Sequence, residues 1–498
     1  MPIQKPSPAQ IAGLAAEIGY SSIAAAPEEY TGMISGMLGV YDALDAFPEP
    51  QVLAGRDAVE HTVPSAEEDP HHAWEVRASI RGAAGGLLAG VRLGVKDSIL
   101  VAGLPMRNGS KELEGFVPNA DATVVTRALA AGAEVVGKTT NEYFCMSGGS
   151  HTAATGVVHN PHRRGFSSGG SSSGSAVALV TGDADMTLGA DQAGSIRMPA
   201  SWSGVVGLKP TYGLVPYTGI ATLDGYFDHV GPMTRTVEDN ARFLTVLAGS
   251  DGIDPRQRDI SVGDYLTALD AGVRGLRIGI LTEGFGGDHA EAGVDEIVVA
   301  AAEALRERGA IVDEVSVPLH ELAPALWTAI AIEGMAETVL RNQGFGFGRP
   351  DHYPVDMMQH LFDHRAAAAE HPANVQLFTL VGRYVDQQQG RLNYAKAVNR
   401  ARTLRAAYDQ ALERFDVLIT PTTPQTARPL PDPAHGAGAA IGASIEMSAN
   451  TTPFNITHHP ALSVPCGTLD GLPVGLQIIG RHFDEAVLFR VGRAIEQN

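Results

Sequence analysis

Three segments carry groups that could together attack a carbonyl carbon. Lys96 closes the apolar run Leu93-Gly94-Val95-Lys96-Asp97. Ser171 lies within Gly165-Phe166-Ser167-Ser168-Gly169-Gly170-Ser171-Ser172-Ser173-Gly174-Ser175. Ser195 follows Leu188-Gly189-Ala190-Asp191-Gln192-Ala193-Gly194. A serine preceded by small residues lets successive backbone N–H groups converge on one point, which is what an oxyanion hole requires. A lysine becomes a base when burial strips water from its ammonium and lowers its pKa. Each segment also has an ordinary reading. Lys96 alone would be a surface cation, and the Ser195 segment a turn held by an Asp191–Arg197 ion pair. The Gly/Ser stretch has the composition of a flexible linker. It runs, however, straight into Ala176-Val177-Ala178-Leu179-Val180, which reads as a small-residue helix in a core. Gly170 to Gly174 also matches G-x-S-x-G, but a nucleophile elbow needs a strand leading into its serine. The approach here, Asn160-Pro161-His162-Arg163-Arg164-Gly165, reads as a turn.

The elements that must position these residues alternate between strand and helix. Val91, Leu93 and Val95 alternate as in a half-buried strand. Asp121 is placed to cap a helix carrying Val124, Val125, Ala128 and Leu129, with Gly132 as its stop and Val135-Val136-Gly137 as the next strand. The unit returns at Leu276, Ile278 and Ile280, followed by a helix from Val294 to Leu305, Gly309, and a strand from Ile311 to Val317. Repeated βαβ units predict an α/β fold with a partly parallel sheet covered by helices. Ahead of it, residues 1–70 read as a helical N-terminal region and connector, with stripes Ile11, Leu14, Ala15, Ile18 and Met33, Ile34, Met37, Leu38, Tyr41. Residues 71–498 read as the catalytic domain. The Gly/Ala-rich stretch from Ala434 to Ala440 is expected to be a mobile loop.

Composition narrows the function further. Of 498 residues, 44% are hydrophobic and only 18% charged, against about 25% charged in an ordinary globular domain, so a large core is expected and wholesale disorder excluded. The net charge of −20 argues against nucleic acid or an anionic membrane as partner. Two cysteines, Cys145 and Cys466, make no disulfide scaffold. No secretory pattern opens the chain and no apolar stretch is long enough to span a bilayer, so a cytoplasmic protein is expected. His71-His72 and His458-His459 are adjacent pairs, and no His/Cys/Asp set has metal-ligand spacing along the chain. No Walker-type loop is present, so neither metal nor cofactor is expected.

Taken together and in order, the three segments resemble the amidase signature family: Gly-Val-Lys-Asp, then Gly-Gly-Ser-Ser-x-Gly-Ser, then Asp-x-x-Gly-Ser-Ile-Arg. Lys96 and Ser171 lie 75 positions apart (171 − 96), and Ser171 and Ser195 lie 24 apart (195 − 171). Gly137-Lys138-Thr139-Thr140-Asn141-Glu142, Gly207-Leu208-Lys209-Pro210-Thr211 and Gly471-Leu472-Pro473-Val474-Gly475-Leu476-Gln477 agree with it. The helical N-terminus makes the chain most similar to nitrile-hydratase-associated amidases. The resemblance implies one large mixed, twisted sheet covered by helices. It implies Ser195 as nucleophile, Ser171 after a cis Gly170–Ser171 bond as the bridging serine, and Lys96 as an uncharged base. The N–H groups of Gln192, Ala193, Gly194 and Ser195 would form the oxyanion hole. Ala193 and Ser173 stand where the family usually has glycine; Ala193 is expected to reshape the pocket with the triad intact, and Ser173 to be a structural variation.

The resemblance places the acyl pocket among the Tyr143–Ser147 loop, the Ala221–His229 loop, the helix bearing Trp327 and the Ile445–Asn450 region, with Met146, Phe227 and Trp327 as substrate-binding residues. An aromatic-lined pocket suits apolar or aryl acyl groups. The expected activity is hydrolysis of small carboxamides, extending to anilides, esters or carbamates. Two alternatives are the amidase component of a glutamine-dependent tRNA transamidase and a catalytically silent scaffold on the same fold. The apolar stripes within residues 11–41 would suit a homodimer interface.

Overall fold

The computed structural model describes residues 3–44, 46–48, 50–346 and 348–497. The chain divides into two compact units, Met1–Val52 and Leu53–Asn498. The first is helical: Pro8–Glu17, Ser21–Ala25, Glu28–Met37 and Gly39–Leu44. Its opening helix is set by a capping box, in which Ser7 Oγ accepts from Gln10 N and the Gln10 side chain accepts from Ser7 N. Of the first expected stripe, Ile11 and Ala15 are buried while Leu14 and Ile18 are exposed.

The second unit is built on one mixed sheet. Its strands are β1 (His61–Thr62), β2 (Trp74–Arg81), β3 (Arg92–Lys96), β4 (Glu134–Thr139), β5 (Met186–Asp191), β6 (Val206–Lys209), β7 (His229–Thr234), β8 (Arg277–Leu281), β9 (Ile311–Val315), β10 (Val417–Pro421), β11 (Ala461–Leu469) and β12 (Leu472–Ile479). Their order is β1-β2-β4-β3-β5-β7-β6-β11-β12-β10-β8-β9. The two βαβ units read from the sequence are the parallel pairs β3 with β4 and β8 with β9; β3 with β5 and β8 with β10 are also parallel. The remaining pairs are antiparallel. Successive residues of central strands enter different cores, so both faces are covered. Val417, Ile419, Leu462 and Ile478 join the cluster under helices Thr123–Ala130, Val237–Leu247, Ala292–Ala304 and Glu485–Glu496. Leu418, Ala461 and Ile479 join the cluster under Ala323–Met335, Ala373–Gln389 and Leu392–Arg414.

Two local expectations are corrected. Asp121 does not cap the helix at Thr123; its carboxylate accepts from Ala102 N at 2.8 Å and pairs with Arg56. A buried carboxylate is better satisfied by a cation than by a helix end alone. The Ala434–Ala440 stretch is no loop. It is a short 3-10 turn and a helix, Gly436–Ile445, started where the Asp432 side chain accepts from Ala434 N. Its alanines favour helix, and packing supports the glycines among them.

Candidate active site

The parallel register of β3 and β5, Leu93 opposite Met186 and Val95 opposite Leu188, brings their carboxyl ends to one edge of the sheet. Ligands of α/β sheets gather at such ends. Lys96 is the last residue of β3, and Gln192 to Ser195 follow the last residue of β5. Helix Ser173–Val180 starts beside them, its residues up to Leu179 buried. Gly174 allows that approach, since a Cβ there would lie 2.1 Å from Ala73 O. The Gly/Ser stretch is therefore a packed turn into a core helix. The Gly170–Ser171 peptide is cis.

Lys96 is wholly buried. Its Nζ lies 2.8 Å from Ser171 Oγ and 3.2 Å from Ala190 O. Burial lowers its pKa; the neighbouring Cys145 thiol and the Asp191 and Glu142 carboxylates work against that without reversing it. A neutral amine has N–H groups for the carbonyl and a lone pair for the Ser171 hydroxyl. Ser195 is 3% exposed and lines a narrow cavity.

The turn before Ser195 is held from several sides. Asp191 accepts from Gly194 N at 2.7 Å, Ile196 N at 3.1 Å, Arg197 Nε and Asn455 Nδ2. Burial alone would raise this carboxyl, but the Arg197 guanidinium and these hydrogen bonds bring it down to about 2. Arg197 is buried too and also reaches Gln477 Oε1 at 2.7 Å and Thr451 O at 3.0 Å. Three successive carbonyls are then tied back: Asp191 O by Asn455 Nδ2, Gln192 O by Trp327 Nε1 at 2.8 Å, and Ala193 O by Thr451 Oγ1. In a trans peptide the following N–H points the opposite way. The amides of Gln192 and Ala193 thus face away from these anchors. Together with that of Ser195 they make no hydrogen bond among the described residues, whereas Gly194 N–H is spent on Asp191. Gly194, at φ +129°, is required here: a Cβ would sit 2.3 Å from Thr451 Oγ1.

Of the three expected pocket residues, Met146 and Trp327 line the cavity. Phe227 does not. It is fully buried and stacks on Trp327, ring centres 6.0 Å apart, as backing for that wall. The rest of the lining includes Leu223, Met335, Phe378, Ser444, Ile445 and Ser448. Met335 and Phe378 carry no sequence signal beyond apolar helix patterning. Nor does Thr451, which reaches Ala193 across 258 positions of chain. None of the described lining residues is charged.

A mixed sheet covered by helices, with a buried lysine beside a serine at its strand ends, is the architecture of the amidase class of hydrolases. The chain belongs to the amidase family: a family model described as Amidase matches residues 57–489. It is an amidase. It is 44% identical over 437 residues to an enantioselective amidase of Rhodococcus rhodochrous, covering 86% of this chain and 84% of that one. Among solved structures it is similar to a glutamyl-tRNA(Gln) amidotransferase component from Thermotoga maritima, with TM-score 0.72, 32% identity and coverage of 86% and 88%. It is also similar to the peptide amidase of Stenotrophomonas maltophilia, with TM-score 0.65, 31% identity and 83% of each chain covered. No helix among the described residues is long and apolar enough to cross a membrane.

Proposed function

We propose that this amidase cleaves small carboxamides with apolar or aryl acyl groups through an acyl-enzyme on Ser195. The observation that carries the reading is the buried Lys96 amine, 2.8 Å from Ser171 Oγ, beside a cavity that Ser195 lines. Neutral Lys96 draws the Ser171 proton, and Ser171 takes the Ser195 proton as Ser195 Oγ attacks the carbonyl carbon. The oxyanion is met by the N–H groups of Gln192, Ala193 and Ser195. Ser171 then protonates the leaving nitrogen, the C–N bond breaks, and ammonia or an amine departs. A water, deprotonated by the same pair, attacks the ester and frees the acid and Ser195. No step calls on a metal or cofactor.

The uncharged, Met- and aromatic-rich lining supports apolar acyl groups. Anilides, activated esters and carbamates present the same carbonyl and fall within reach of the same nucleophile. Treatment with a fluorophosphonate followed by peptide mapping tests the assignment. The adduct is expected on Ser195 and absent from Ser195→Ala; an adduct elsewhere refutes it. A hydrolysis screen over aliphatic amides, aryl amides, anilides and carbamates, with Ser195→Ala as blank, then ranks substrates.

The similarity to glutamyl-tRNA(Gln) amidotransferase components favours glutamine as a second reading. Free glutamine carries an ammonium and a carboxylate, and burying either without a counter-charge is costly. The uncharged lining therefore weighs against it, and glutaminase activity would restore it. Leu14, Ile18, Met33 and Met37, all exposed, make the N-terminal unit the face for a second copy of the chain in a homodimer. Sedimentation of the chain before and after Leu14→Glu checks this.

A further inference from the structure

Asp409, His459 and His482 bring one ligand atom each to within 4.8 Å of one another. They come from three places: helix Leu392–Arg414, the turn before β11, and the turn after β12. His459 Nε2 lies 3.0 Å and His482 Nδ1 3.8 Å from Asp409 Oδ1. Positions 409, 459 and 482 are too widely spaced to read as a ligand set, which is why no metal signal is legible along the chain.

Thr457 contacts both rings. Its hydroxyl lies 3.0 Å from Pro453 O and 2.9 Å from His459 Nδ1; when it donates to Pro453 O it accepts from His459 Nδ1, and Nε2 is then free of its proton. A carbonyl can only accept, so His482 Nε2 donates its proton to Thr457 O at 3.1 Å. In that tautomer each ring uses its N–H on the far side, and two nitrogen lone pairs and a carboxylate oxygen converge on one point; without an ion, the 3.0 Å contact of His459 Nε2 with Asp409 Oδ1 is a hydrogen bond that the ion would replace. Ring N–H groups anchored on a backbone carbonyl and a hydroxyl are the outer-sphere arrangement of metal-binding histidines.

We propose that Asp409 Oδ1, His459 Nε2 and His482 Nδ1 bind one divalent transition ion of the zinc class, with water completing the coordination. Bond lengths of about 2.0–2.2 Å in a tetrahedron put ligand atoms roughly 3.3 Å apart, close to the 3.0 and 3.8 Å found. Asp409 is 49% exposed and gives the ion an entry path. Two cations oppose the site. Arg405 Nε lies 3.7 Å from the other oxygen, Asp409 Oδ2, and Lys209 Nζ donates to His459 O at 2.6 Å. The bound ion would clamp helix Leu392–Arg414 to the ends of β11 and β12.

The test uses the full chain, stripped with chelator and desalted. Titration with ZnCl2 by calorimetry is expected to show a site of one ion per chain with Kd at or below the micromolar range. Thermal melts should rise by several degrees at a hundredfold excess over Kd. Co2+ should give the visible absorption of a low-symmetry N2O site. His482→Ala, at a partly exposed position, should fold, remove the thermal shift and abolish the Co2+ spectrum. Asp409→Asn should weaken binding at least tenfold. Absence of a one-to-one site, or a site unchanged in both variants, overturns the proposal. The outcome does not depend on the catalytic reading.

Discussion

Replacement of Lys96 by methionine isolates the proposed base. The side chains are similar in length, and the site is wholly buried, so methionine fills the volume while removing the amine. Ala190 O loses Lys96 Nζ but keeps Ser172 Oγ at 3.2 Å as a donor, so no carbonyl is orphaned. The fold should hold while the chemistry goes. A positioned general base is worth about 10²–10⁴-fold, or about 3–5 kcal/mol at 1.36 kcal/mol per decade. The assay is kcat/KM on an aryl amide and on the matched nitrophenyl ester. Amide hydrolysis should fall by that factor. Ester hydrolysis should fall at least tenfold less, because nitrophenolate leaves without a proton.

The pH dependence follows from the same burial. Wild-type amide turnover should fall on the acid side as Lys96 takes up a proton, and no such limb should appear in the residual ester activity of the variant. For stability, the unfolded lysine keeps its proton up to about 10.5, whereas burial makes the folded one release it at lower pH. Between those two values the unfolded state binds more protons, so Lys96 makes stability rise with pH. The rise in unfolding free energy from pH 7 to pH 9.5 should be smaller in Lys96→Met. Equal losses on amide and ester, or an unchanged amide rate, would refute the base assignment.

Two further perturbations test the turn before Ser195. Trp327→Phe keeps a ring in the wall but removes the hydrogen bond to Gln192 O; kcat for amides should fall about tenfold, the equivalent of one ordinary hydrogen bond, with KM changed little, and a KM effect alone would place Trp327 only in the wall. Asp191→Asn leaves Arg197 buried without its carboxylate and should cost about 3–5 kcal/mol in urea melts. With the Asp191 pKa held near 2 against 3.8 unfolded, about 2 kcal/mol of this contribution, at 1.36 kcal/mol per unit, should be present above about 3.8 and be lost as pH falls through 2.

Much of the site is legible in residue order. Local patterning leaves Lys96 a surface cation and the Ser195 segment an ordinary turn; the order and spacing of the three segments, through their resemblance to the amidase signature family, single out Lys96, Ser171 and Ser195. Gly194 reads as one more oxyanion donor; the structure spends its N–H on Asp191, a matter of loop geometry that composition does not encode. The Ala434–Ala440 stretch reads as loose from its glycines, yet packing makes it part of a helix that ends at a cavity wall. Phe227 reads as a pocket residue and instead packs one layer behind the wall, because Trp327 stands between it and the cavity.

Legible in the order of residues are the two βαβ units that pair β3 with β4 and β8 with β9, since strand and helix periods depend on neighbours a few positions away, and the spacing of the three segments that carry Lys96, Ser171 and Ser195. Which distant groups surround these residues follows from the packing of remote segments: Thr451, Asn455 and Trp327 on the turn before Ser195, Met335 and Phe378 around the cavity, and the meeting of Asp409, His459 and His482. Those contacts join segments separated by tens to hundreds of residues. Their geometry is fixed by how helices pack on the sheet, and no local periodicity records it.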